Sequence, residues 1–219
     1  MPTIAELLER FSFLASAPAA WGALITAGLI VAFFDWRLLV LAFGAQAVFT
    51  GLLYSQNLPP QVAGIKMLIG LLIAVQMFAT GRQIEANRET RLVAEPGPPL
   101  GRRITTGLPF RIVVAVMVMV ISWQLSLAPN FVLPDVSPTV SLAVVGLVAM
   151  GLLGLGLTEE PFKAGMLLIT VLTGFELYYS AVEPALAVIA LLAAMNFAIA
   201  LGTCYLAVIN SLPQRSGAQ

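Results

Sequence analysis

The stretch VLTGFELYYSAVEP, residues 171–184, carries an acid, Glu176, inside an apolar run that extends from Lys163 to Glu183. A carboxylate at the centre of a membrane helix costs about 2.5–3.5 kcal/mol on insertion scales. Protonation lowers that cost, so a group held there can take up and release a proton, the chemistry of a relay. A second role is open to it: hydrogen-bonding glue, with Tyr178, Tyr179 or Asn196 as partner. Lys66, four residues after Val62, is the other ionisable group at the edge of an apolar run. It either snorkels its ammonium to the headgroups or pairs with Glu176 or with another subunit. Asn196, Gln46, Gln76 and Gln124 are neutral polar groups within apolar runs. Side chains of this kind commonly hydrogen-bond across helices. Glu176, Lys66 and Asn196 are the ion-relay candidates.

Other chemistries are excluded by composition. The chain has no His, which removes imidazole metal ligation, haem ligation and His-based proton relays. The single cysteine, Cys204, cannot form an internal disulfide or a thiolate cluster. No glycine-rich phosphate loop follows a strand, and no nucleophile–base pair can be assembled in the usual ways. No catalytic site, cofactor or metal is therefore expected. Net charge is zero, which argues against a nucleic-acid partner.

The elements that must position these residues are membrane helices. Of the 219 residues 59% are hydrophobic and 10% charged, and mean hydropathy is +0.95; soluble domains carry about 25% charged residues. Apolar runs approach the ~20 residues that cross a bilayer core. The fold class expected is an all-α polytopic membrane protein with about seven spans: 19–34, 38–54, 62–80, 109–127, 140–157, 163–182 and 185–209. Thr3 and Glu6 fit a capping box, so a short amphipathic helix is expected before the first span. Glu6 and Glu9 stand where a secretory leader carries positive charge, so no cleaved peptide is expected. The polar segment 81–107 holds Arg82, Arg88, Arg91, Arg102 and Arg103. Placing it in the cytoplasm also puts Arg37, Arg111, Lys163 and Arg215 on that side and leaves only Arg10 outside. The N-terminus is then out and the C-terminus in, across the inner (cytoplasmic) membrane. Gly146, Gly151, Gly154 and Gly156 are expected to permit close helix approach.

The organisation reads as a three-helix unit with its leading helix (1–80), an Arg-rich loop (81–107), a linking helix with a Pro-rich loop (108–139), and a second three-helix unit (140–219). FTGLLYSQNLPP (49–60) and LTGFELYYSAVEP (172–184) share Thr-Gly, Tyr-Ser and proline in the same order, which suggests two parallel repeats joined by an extra helix.

The second unit, best over residues 140–209, resembles the K-type small membrane subunit of bacterial complex I. Mrp antiporters and energy-converting hydrogenases have related membrane subunits. The motif is Gly174, Phe175, Glu176 and Leu177, followed by Ala181 and Val182, with Lys163 as the basic turn residue. The family often has a second acid after two alanines in its third helix; here Met195 and Asn196 occupy that region. The resemblance implies a non-catalytic subunit of an ion-translocating assembly. Glu176 would relay a proton or cation beside larger antiporter-like subunits. A self-contained two-repeat transporter and a structural anchor or assembly subunit are the alternatives.

Overall fold

The computed structural model describes residues 17–94, 107–128, 133, 136–183 and 185–212, with side chains of the third helix followed as far as Asn87. The expected N-terminal amphipathic helix, most of the Arg-rich segment, much of the Pro-rich loop and the C-terminal tail lie outside these residues. The described residues form seven helices and no strand: α1 Ala17–Ala32, α2 Trp36–Asn57, α3 Pro60–Ala94, α4 Leu108–Leu127, α5 Pro138–Gly156, α6 Pro161–Val182 and α7 Leu186–Ser211. Six of them, α2 to α7, are long and apolar enough to cross a membrane. The remaining helix, α1, is apolar but has 16 residues, about 24 Å at ~1.5 Å per residue.

Local sequence starts these helices where the chain turns. Asp35 caps α2, its carboxylate accepting the Arg37 amide at 3.0 Å. Ser137 caps α5 through the Val140 amide. Pro138 and Pro161 occupy the first turns of α5 and α6, where a missing N–H costs nothing.

Consecutive helices run antiparallel and make two facing rows. α1, α2 and α3 form one row and α5, α6 and α7 the other; α1 lies on α5, α2 on α6 and α3 on α7. α4 closes one edge against α1 and α5. The bundle has two ends, named here for the turns at Asp35 and at Pro59. The Asp35 end carries the start of α2, α4 and α6.

The core lies between the rows. Ala19, Ala20, Ala23 and Ala27 of α1 are almost wholly buried, and their small side chains let α1 approach α2, α4, α5 and α6 together. Gly146 sits against Leu24 of α1, while Gly151 and Gly154 sit against Leu167 and Val171 of α6. Gly156, by contrast, faces open space. The outside is apolar: α4 exposes Phe110, Val113, Met117 and Ile121, and α3 exposes Ile65, Leu68, Leu72 and Val75. Apolar surface of this extent suits a hydrocarbon surround better than water.

One element departs from the sequence expectation. The third span was expected to end near residue 80 in a polar loop, but α3 continues to Ala94. Polarity marks where a helix leaves an apolar medium, not where it stops. Residues 81–94 are mostly good helix formers with no proline before Pro96.

Candidate functional site

Glu176 lies in α6, six residues before its last residue, and its side chain turns inward between the two rows. The carboxylate is held by three side chains from three other helices. Lys66 of α3 donates to Oε2 at 2.6 Å, and Tyr54 of α2 donates to the same oxygen at 3.3 Å. Asn196 of α7 donates from Nδ2 to Oε1 at 2.9 Å. The Lys66 and Glu176 side chains are 7% and 3% exposed, so this is a buried ion pair. The Lys66 ammonium also lies 5.5 Å from the centroid of the Tyr54 ring, within cation–π range.

The spacing along each helix explains why these residues meet. Lys66 is six residues into α3 and Glu176 six from the end of α6, which puts both about 9 Å from the Pro59 end. Lys66 therefore reaches Glu176 instead of snorkelling outward. The structure brings together all three residues singled out from the sequence. It adds Tyr54, whereas the sequence reading offered Tyr178 and Tyr179 as partners. Those two are neighbours of Glu176 on its own helix; Tyr54 comes from the facing row, which helical spacing within one span cannot reveal.

A cavity of about 40 Å³ adjoins the pair, lined by Gln46, Thr50, Tyr54, Lys66, Thr173, Glu176 and Asn196 among others. That is room for about three water molecules. The Asn196 Oδ1 atom is buried with no hydrogen-bond partner among the described residues. Toward the middle of the bundle, Gln46 donates to Thr170 Oγ1 at 3.3 Å, and Thr50 donates to the Gln46 carbonyl at 2.9 Å. Beyond that layer the interior is mainly apolar: Leu39, Phe43, Met77, Met166 and Leu167 fill the space before Lys163, with Thr26, Thr80 and the Gln76 amide oxygen the buried polar groups at that depth.

A second polar cluster closes the Asp35 end. Lys163, wholly buried, donates to the carbonyls of Phe33 at 2.6 Å and Val31 at 2.9 Å. Arg111 donates to the Val31 carbonyl at 3.4 Å and to the Leu157 carbonyl. Both cations lie over the Phe34 ring, at 4.3 and 4.6 Å. The last carbonyls of a helix have no intrahelical donor and carry partial negative charge; here two basic side chains from α4 and α6 supply the donors for α1. The sequence reading treated both residues as topology markers at the membrane surface. Nothing in linear spacing points Lys163 or Arg111 at Val31.

Among the described residues no group of three or more His, Cys, Asp or Glu is placed to hold a metal. Cys204 is buried, its thiol 3.6 Å from the Met77 sulfur. Among the described residues these features define a helical, membrane-type bundle with one buried acid–base pair between its two rows. No protein-family model, curated protein or solved structure matches this chain.

Proposed function

We propose that the chain is an integral membrane subunit of an ion-translocating assembly, in which Glu176 passes a proton or cation with Lys66, Tyr54 and Asn196 around it. The observation that carries this reading is the buried Glu176–Lys66 pair beside a small polar cavity. Ionisable groups inside membrane helices are costly and mark ion and proton pathways. The motif Gly174-Phe175-Glu176-Leu177 and its resemblance to K-type subunits of complex I, Mrp and hydrogenase assemblies support the same class. Asn196, which stands in the region of the family's second acid, bonds to Glu176 and gives that position a role here.

In this reading all seven helices cross the inner membrane. Arg37, Arg82, Arg111 and Lys163 all lie at the Asp35 end, which supports that end as cytoplasmic under the positive-inside rule. The polar cavity then sits in the outer half. The mainly apolar layer from Leu39 to Leu167 supports a path that this chain does not complete alone, hence partner membrane subunits, antiporter-like ones among them.

A second reading, a self-contained transporter of two repeats, is favoured by one observation. The site draws Tyr54 and Lys66 from one row and Glu176 and Asn196 from the other, as expected at a repeat interface. Against it, α2, α3, α6 and α7 run unbroken past the site, and the cavity is far smaller than the ~300–1,000 Å³ of organic-ligand pockets.

The test is coupled ion transport by the native assembly, normalised to assembled protein. Glu176→Gln should abolish it. So should Glu176→Gln with Lys66→Met, which removes both charges together and leaves neither unpaired. Normal transport in the double variant would remove Glu176 from the path. Transport by the purified chain in liposomes would favour the two-repeat reading.

A further inference from the structure

Each Glu176 oxygen is already engaged. Oε2 receives the Lys66 ammonium at 2.6 Å and the Tyr54 hydroxyl at 3.3 Å, and Oε1 receives the Asn196 amide at 2.9 Å. Tyr54 Oη also lies 3.4 Å from the Thr173 carbonyl oxygen. Carboxylate, phenol oxygen and backbone carbonyl are the hard oxygen donors a small cation seeks. The group seated among them is the side chain of Lys66.

We infer that the Lys66 ammonium is a tethered cation filling the place a monovalent metal ion would take on Glu176, so that the site exchanges protons and rejects sodium and potassium. This rests on the reading of Glu176 as an ion-path residue, and it names the ion.

Three observations carry it. First, the ammonium is already seated: the Lys66 side chain is 7% exposed, with its Nζ 2.6 Å from Glu176 Oε2 and 5.5 Å from the Tyr54 ring centroid. A metal ion would have to displace it. Second, the adjoining cavity of about 40 Å³ has room for about three waters, short of the full water shell of a hydrated metal ion. A proton adds no volume and needs only an oxygen lone pair. Third, among the described residues Lys66 is the one charged side chain that contacts the Glu176 carboxylate. Among the helices packed against α6, α1 and α5 carry no titratable side chain. The titratable groups of α7, Cys204 and Tyr205, lie toward the opposite end. On α2 the only titratable group at this level is Tyr54. The step balances simply: a proton arriving on the carboxylate forms one O–H bond and leaves a neutral acid beside the ammonium. Its departure breaks that bond and restores the ion pair.

The experiment is thermal melting of the purified full chain in detergent, in sodium, potassium, lithium or choline chloride at matched ionic strength. The wild-type chain should melt at the same temperature in all four. Lys66→Met should melt low in choline and gain about 3–6 °C in sodium or lithium at ten times its dissociation constant. Lys66→Arg, which keeps the tethered charge, and Lys66→Met/Glu176→Gln, which lacks the carboxylate, should show no sodium response. Sodium-specific stabilisation of the wild type overturns the inference, and so does a Lys66→Met variant that melts alike in sodium and choline. Should Lys66→Met not fold in any salt, Lys66→Gln goes through the same series with the same two readings. The melting response does not depend on transport. Failure of the inference is therefore separate from failure of the function, which Glu176→Gln transport decides.

Discussion

At the scale of the residue, Glu176 and Lys66 are each costly in an apolar bundle and tolerable together. Removing one partner of a buried pair leaves the other charge uncompensated, a loss of about 3–5 kcal/mol, whereas replacing both with neutral groups is often harmless. Glu176→Gln or Lys66→Met alone should therefore lower the melting temperature in choline-based buffer, and the double variant should recover most of it. A double-mutant cycle measures the difference; additive losses would mean that the two charges do not stabilise each other. Tyr54→Phe should cost less, about 1 kcal/mol, because it removes one hydroxyl donor, shared at 3.3 Å with Glu176 and 3.4 Å with the Thr173 carbonyl, while Lys66 and Asn196 still hold the carboxylate.

At the scale of the element, α1 is the helix most dependent on its neighbours. It is short, rich in alanine, and its last carbonyls are satisfied by Lys163 and Arg111. Hydrogen bonds to charged groups contribute about 1.5–3 kcal/mol each. Lys163→Met should therefore destabilise the bundle, with amide exchange rising first near Val31–Phe34. Exchange spread uniformly over all helices would argue against a local role. The α5–α6 contact is set by glycine. A Cβ on Gly151 would sit 2.9 Å from the Leu167 carbonyl oxygen and 3.0 Å from the Val171 nitrogen. Backbone atoms cannot rotate aside, so Gly151→Ala must separate the helices, at the ~1–3 kcal/mol typical of overpacking. Gly156→Ala meets nothing within 4 Å and should be neutral or slightly stabilising. Melting of the two variants side by side checks the contrast.

At the scale of the whole molecule, the positions of the arginines make a topology prediction. With Cys204 replaced by Ser, a cysteine at Glu85 should react with a membrane-impermeant reagent only from the cytoplasmic side. One at Gln61, exposed at the Pro59 end, should react only from outside. The reverse pattern would invert the bundle. The helical class, the approximate spans, the acid and two of its three partners, Lys66 and Asn196, were legible in the sequence, because bilayer thickness imposes a length and charge is rare enough to stand out. The extent of α3 was not, because the end of an apolar run is not the end of a helix. Tyr54 as a ligand and Lys163 and Arg111 as caps were not legible either, because each acts on a residue distant in the chain.

The sequence by itself determined that the chain is a set of apolar helices with an acid, a lysine and an asparagine at depths where they can meet. Composition and periodicity are local properties and survive without a fold. Only the tertiary structure decided that α2, α3, α6 and α7 converge on one point, so that Lys66 pairs with Glu176 and does not snorkel. It decided too that α1 ends on two buried cations. Those outcomes depend on which helix faces which, and that is fixed by close packing between the rows.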